Sequence, residues 1–336
     1  MSEPGRRSSH VGAGPAVVAL GGGHGLAASL SALRLMSEQL TAVVTVADDG
    51  GSSGRLRAEL DVLPPGDLRM ALSALCDDSD WGRTWRDLLQ HRFHTQGPLD
   101  QHAVGNLLIV ALWEQLGDPV AGLDWVGRLL GARGRVLPMS SVPLAIEADV
   151  ALDGTVCTVR GQSAVAVAPG RVEAVRIVPA DPPACPEAVA AVDAADWVVL
   201  GPGSWFTSVL PHVLVPELSA ALHRTAARRC VTLNLHPTQD PTAMTTYEHL
   251  CALAEHAPDL RIDVVVADPS AVDDLDALTA QARAMGAQLL LRQVRVGDGS
   301  PRHDALRLAG AYRDAFEQVW GDLDGGAEGG RMTPWR

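Results

Sequence analysis

The chain contains no lysine. All 27 of its basic residues are arginines, which excludes a Walker-type phosphate lysine, Schiff-base chemistry and a lysine general base. Any phosphate must therefore be met by guanidinium forks or backbone amides. Cysteine is sparse, with Cys76, Cys157, Cys185, Cys230 and Cys251 in no Cys-x-x-Cys pairing, so neither structural zinc nor a disulfide framework is indicated. Free thiols in a reducing cytoplasm are the expectation. No apolar run approaches the ~20 residues needed to span a bilayer. Arg6-Arg7 is followed only by the short apolar stretch 16–20, too brief for a secretory signal, so a cytoplasmic protein without membrane insertion is expected. Positive charge is also in deficit: 40 acids against 27 arginines leave a net charge of −13, which weighs against nucleic acid or an anionic membrane as partner.

What is present points to an α/β protein. With 336 residues and 47% hydrophobic content the chain can bury one large core or two lobes. Three apolar runs empty into glycine-rich loops. Ala16-Val17-Val18-Ala19-Leu20 leads into Gly21-Gly22-Gly23-His24-Gly25, then into a helical pattern at Leu26, Leu30, Leu33 and Met36. A second run, Val43–Val46, ends in Asp48-Asp49-Gly50-Gly51-Ser52-Ser53-Gly54-Arg55. The third, Trp197–Leu200, ends in Gly201-Pro202-Gly203-Ser204, with a helix expected through Val209 and Leu214 toward Leu222. Glycine at a strand-to-helix junction lets the backbone approach a phosphate while the helix start supplies free N–H donors. Asp48 stands 23 residues beyond Gly25, near the place of a ribose-binding acid in a dinucleotide fold. Each loop alone is also ordinary turn chemistry. Together they favour a diphosphate-bearing small molecule.

Several polar residues are candidates for that ligand. Asp48 and Asp49 offer hard oxygen ligands for Mg²⁺, although adjacent acids on extended backbone point to opposite sides, so one of the two faces the ligand. Ser52, Ser53 and Arg55 would line the phosphate side. The only two asparagines, Asn106 at a helix start and Asn234 near a strand end, could read a base or sugar, or else cap and turn. His24 could add a charge-assisted bond to phosphate, or point away and leave the glycine amides to hold it. Asp67, after Pro64-Pro65-Gly66, reads as a helix N-cap. His91, His94 and His102 could form a metal or acid–base cluster, but such groups are more often surface or core polar residues. No Ser-His-Asp order or nucleophile elbow occurs, and no catalytic residue is assigned.

The remaining pattern predicts helices over 68–75, 81–93, 104–116 and 182–195, and a last one over 304–320. Strands are predicted at 231–235, 262–267 and 289–296. Between 136 and 178, short Val-rich alternations broken by Asp153-Gly154, Arg160-Gly161 and Pro169-Gly170 predict a β-hairpin insertion. The expectation is a Rossmann-like, doubly wound, mostly parallel sheet in one domain over 15–322, with disordered tails at 1–14 and 323–336. Homo-oligomerisation is left open.

These motifs together resemble the YvcK/CofD-like family, and specifically its YvcK branch. They are Gly21–Leu26, Val44–Arg57 with its Asp-Asp-Gly-Gly-Ser-Ser-Gly-Arg run, Pro65-Gly66-Asp67-Leu68-Arg69, His91-Arg92-Phe93, Gly105-Asn106-Leu107-Leu108, Val136-Leu137-Pro138 and Gly201–Ser204. The resemblance spans roughly residues 15 to 320. It implies a cytoplasmic, Rossmann-like protein that binds UDP-N-acetylglucosamine and is linked to cell-envelope synthesis, cell shape and growth on gluconeogenic carbon. It adds Asp67 and Arg69 to the ligand-binding candidates. The sister CofD branch implies the alternative, a transferase joining a phospholactyl-type group to a deazaflavin precursor. An NAD-dependent dehydrogenase is a third reading, without a convincing hydride-site acid–base pair. The chain departs from the family's usual residues at His24 (threonine), Met70 (asparagine), Ala103 (serine) and in the stretch after Asn234.

Overall fold

The computed structural model describes residues 14–235 and 244–318. Seven strands form a parallel sheet: β1 (Val17–Gly21), β2 (Leu40–Val44), β3 (Arg135–Pro138), then β7 (Trp197–Leu200), β8 (Arg228–Thr232), β9 (Val264–Ala267) and β10 (Gln288–Leu291). Three more, β4 (Ala145–Leu152), β5 (Thr155–Arg160) and β6 (Arg171–Val178), pair antiparallel in a separate small sheet. Strands covered on both faces by helices read as continuous apolar runs, and every residue of β1 and β7 is buried. Each buried valine or leucine there contributes about 1.5–3 kcal/mol.

The sheet order is β10-β9-β8-β7-β1-β2-β3. From β1 the chain moves outward through β2 to β3, and from β7 it moves outward the other way to β10. The reversal lies between β1 and β7, where a crevice opens at the carboxyl ends of a doubly wound sheet. Register makes the edge level: Gly21 pairs with Val44, Leu20 with Leu200, and Leu200 with Val231. The loops after β1, β2, β7 and β8 therefore leave one rim. The expected Rossmann-like, doubly wound sheet is the observed one.

Several boundaries differ from expectation: the strands expected at 231–235 and 289–296 are Arg228–Thr232 and Gln288–Leu291, and the helices expected over 81–93 and 182–195 are Asp80–Gln90 and Pro186–Ala194. Residues 135–138 pair in parallel with β2, so the antiparallel insertion spans β4 to β6 rather than 136–178. It contains three strands and a short helix, Gln162–Ala166, rather than a single hairpin. The helix expected from Val209 to Leu222 is broken into a π-helical turn, Trp205–Val209, and two helices, Pro211–Leu214 and Pro216–Arg224. Pro211 and Pro216 each lack the N–H that would continue the preceding helix, so each begins a new one. The final helix runs Ala305–Glu317; its expected end at Trp320 and the expected tails, Gly14 apart, lie outside the described residues.

Candidate functional site

The loops after β1 and β7 meet. A Cβ on Gly25 would lie 2.2 Å from the Pro202 carbonyl oxygen and 2.4 Å from the Gly203 Cα, so only glycine allows this approach. Gly201 has φ +75° and a Cβ there would lie 2.8 Å from the Thr232 carbonyl oxygen, so it too is required. Asn234 clasps the second loop: Gly203 N–H donates to its Oδ1 at 2.9 Å and its Nδ2 donates to the Gly203 carbonyl at 2.7 Å. A buried chain of hydroxyls props the loop from behind. Tyr312 Oη lies 2.7 Å from Ser29 Oγ and 3.0 Å from Thr232 Oγ1, and Ser29 donates to the Gly201 carbonyl at 2.8 Å.

Above this joined cradle opens a cavity of about 2050 Å³. Its floor is Gly22, Gly23, His24 and Gly25, with Asp48, Asp67, Gly203, Ser204 and Asn234. The insertion supplies one wall through Gln162, Ser163 and Arg171, and the helix Thr246–His256 supplies another through Glu248, His249 and His256. Arg302 and His303 close the rim. The helix Gly23–Leu33 starts at the floor and its N-cap residue, Gly22, has no side chain to cap it, so its dipole and the first-turn amides beyond Gly23 face the cavity.

Two carboxylates stand in this floor. Asp67 is not the N-cap of the helix Pro65–Leu75, as expected from sequence; Pro64 holds that place and Asp67 lies in the first turn. Its carboxylate accepts the Gly23 N–H. The other oxygen, Oδ2, is buried with no hydrogen-bond partner, and a Cβ on Gly22 would lie only 2.5 Å from it. Burial first, and the charge of Asp48 second, push the Asp67 carboxyl up to about 7. Asp48 lines the same cavity, near enough for its charge to act on Asp67, and its Oδ1 accepts the Gly50 N–H at 3.0 Å. Asp49 does not line the cavity: its Oδ1 accepts the Ser163 N–H at 2.9 Å and so anchors the insertion. The oxygen pair of the floor is thus Asp48 with Asp67, not Asp48 with Asp49.

Other candidates lie elsewhere. Ser52, Ser53, Arg69 and Asn106 form one buried network beside the cavity. Asn106 Nδ2 donates to Ser52 Oγ at 3.0 Å and to Ser53 Oγ at 3.4 Å, while Arg69 Nε donates to Asn106 Oδ1 at 2.8 Å. Ser52, Ser53 and Asn106 are buried and do not line the cavity. Arg55 is exposed and donates to the carbonyls of Pro98 and Asp100. Gly21 is buried as the last residue of β1, its carbonyl accepting the Thr45 N–H at 2.9 Å. His102 is buried against Ser52, whereas His91 and His94 are exposed; no metal-holding group of three His, Cys, Asp or Glu occurs among the described residues. Sequence reasoning missed Trp205, whose buried Nε1 has no partner and borders the cavity, and the cationic Arg171 and Arg302. Only the proximity of Trp205 to Ser204 could have marked it.

A family model described as 2-phospho-L-lactate transferase CofD matches residues 17–291. The chain belongs to the CofD family. Among its CofD-family relatives, a protein of Mycobacterium tuberculosis (strain ATCC 25618 / H37Rv) named "Putative gluconeogenesis factor" is 54% identical over 301 residues, 87% of this chain and 88% of that one. The gluconeogenesis factor of Bacillus subtilis (strain 168) is 32% identical over 323 residues, covering 92% of this chain and 100% of its own. A crystal structure of a UPF0052-family protein from Bacillus halodurans superposes with a TM-score of 0.79 at 32% identity, over 89% of this chain and 98% of that one. The expected YvcK-like branch of the CofD family is thus the one whose named members share this fold. Among the described residues no helix is long and apolar enough to cross a membrane.

Proposed function

We propose that this CofD-family protein is a cytoplasmic, regulatory binder of a sugar nucleotide, UDP-N-acetylglucosamine, acting in cell-envelope synthesis, cell shape and growth on gluconeogenic carbon. The observation that carries the reading is the contact of Gly25 with Pro202 and Gly203, which joins two glycine loops into one cradle at the switch point of the sheet. The first-turn amides of the helix Gly23–Leu33 beyond Gly23, whose N–H Asp67 takes, would meet the diphosphate. Trp205 Nε1, Arg171 and Arg302 supply donors to the rest of the molecule.

Mg²⁺ fits this floor. Asp67 Oδ2 is buried with no hydrogen-bond partner, and the Asp48 carboxylate lines the same floor. Mg²⁺ is commonly held by one or two carboxylates together with ligand phosphates, so two acids suffice. Asp48 and Asp67 would hold it, and it would offset their repulsion of the diphosphate. Calorimetric titration with UDP-N-acetylglucosamine, with and without Mg²⁺, tests the proposal. The family model itself favours a second reading, transfer of a phospholactyl-type group to a deazaflavin precursor. Turnover of such an acceptor with an activated phospholactate donor would reverse the order of the two.

A further inference from the structure

A second cavity, of about 570 Å³, adjoins the first across His24. Its walls carry four guanidinium groups, those of Arg34, Arg69, Arg86 and Arg92, and Ser73. Two of them are ion-paired, Arg34 with Asp78 at 2.9 Å and Arg86 with Asp87 at a long 3.4 Å. Arg92 spends one nitrogen on the Gln101 carbonyl, and Arg69 meets only neutral acceptors, on Asn106, Leu89 and Gln90. Arg69 and Arg92 thus make no ion pair among the described residues, although Asp67 and Asp48 act on Arg69 at longer range, and their guanidinium groups could meet an anion such as a phosphomonoester.

Two donors in these walls lack acceptors. Ser73 is only 6% exposed and its Oγ has no hydrogen-bond partner. Arg34 Nε is likewise buried and unpartnered, although its two terminal nitrogens are used by the Cys76 carbonyl and Asp78. A buried hydroxyl normally finds a partner, so an orphan bordering a cationic cavity marks a missing acceptor. We propose that the cavity bounded by Arg34, Arg69, Ser73, Arg86 and Arg92 is a second anion site that takes a phosphomonoester. Its volume suits a small phosphorylated molecule better than a bare ion. Guanidinium forks match phosphate oxygens in pairs, and the chain has no lysine to compete for the role. The phosphate has two sources: a separate phosphorylated small molecule, or the far end of a ligand that enters past His24 from the main cavity. This inference stands apart from the sugar-nucleotide reading.

The test is equilibrium dialysis of the full chain against inorganic phosphate and glycerol phosphate in a low-salt, phosphate-free amine buffer. The parent is expected to bind one equivalent of each. Arg92→Gln and Arg86→Gln change side chains at the open side of the cavity, and each should weaken binding by about tenfold or more, the usual scale of a lost charge-assisted bond. Ser73→Ala should weaken it less. Urea titration of each variant separates lost binding from lost folding. Phosphate binding that persists under saturating UDP-N-acetylglucosamine assigns the site to a separate molecule. Displacement by the nucleotide from the parent, together with weakening in both arginine variants, assigns it to the far end of the main ligand. No binding to the parent, or equal binding by parent and folded arginine variants, overturns the proposal. These phosphate measurements do not need the nucleotide to bind, so a failed nucleotide titration leaves them decisive.

Discussion

Asp67 is the residue whose replacement speaks most directly to how the cavity works. A carboxyl that titrates at 3.8 when free and at about 7 in the folded chain takes up a proton on folding. Folding stability is therefore full below 3.8, declines as the pH rises through the interval, and is lowest above about 7. Each pH unit across that interval costs about 1.4 kcal/mol, so an ionised Asp67 burdens the folded state by about 4 kcal/mol at pH 8. Asp67→Asn removes the charge yet keeps an acceptor for the Gly23 N–H. Urea denaturation in metal-free buffer should show the variant more stable than the parent at pH 8 by a few kcal/mol. The advantage should shrink toward pH 5, where the parent carboxyl is largely protonated. Millimolar Mg²⁺ should stabilise the parent at pH 8 and leave the variant nearly unchanged. A stability difference constant from pH 5 to pH 8 would refute the reasoning, because the cost would then not be electrostatic.

Further outcomes follow from the loops. Gly25→Ala places a methyl against the backbone of Pro202 and Gly203, so the two loops must part; a loss of about 1–3 kcal/mol in urea titrations and weaker nucleotide binding by calorimetry are expected. Asn234→Ala releases both Gly203 bonds and should cost about 1–3 kcal/mol of nucleotide binding with a smaller loss of folding stability, measured in the same way. Tyr312→Phe removes the hydroxyl that meets Ser29 and Thr232 behind Gly201; the melting point should fall by the equivalent of about 1–3 kcal/mol, and an unchanged melting point would show that the prop carries no energy.

Much of this architecture could be read from local pattern. The strand-to-glycine junctions after Leu20 and Leu200 are local statements, and both fell where the sheet reverses. The helix Val104–Leu116 matches its expected limits because Ala103 and Gly117 bound a continuous apolar run. That one of the two adjacent acids lines the cavity is likewise what the sequence leads one to expect. What could not be read depends on distant partners. Val136 sits in a Val-rich alternation whether its strand joins a parallel sheet or a hairpin, and only pairing with β2 decides. Ser52, Ser53 and Asn106 are residue types that serve a phosphate or a buried network equally well; which applies depends on Arg69 arriving from another helix. Asp67 reads as a cap after two prolines, and its burial against Gly22 is visible only once β1 and the helix Pro65–Leu75 are brought together.

The central claim is that the joined glycine loops and the Asp48–Asp67 pair hold a sugar nucleotide with Mg²⁺. The direct measurement is calorimetric titration of the full chain with UDP-N-acetylglucosamine at pH 8, with Mg²⁺ and with a chelator. One molecule should bind per chain, at least tenfold more tightly with Mg²⁺, and Asp67→Asn should lose most of that metal dependence. Absence of heat at millimolar nucleotide, or binding indifferent to Mg²⁺ in both proteins, would contradict the claim.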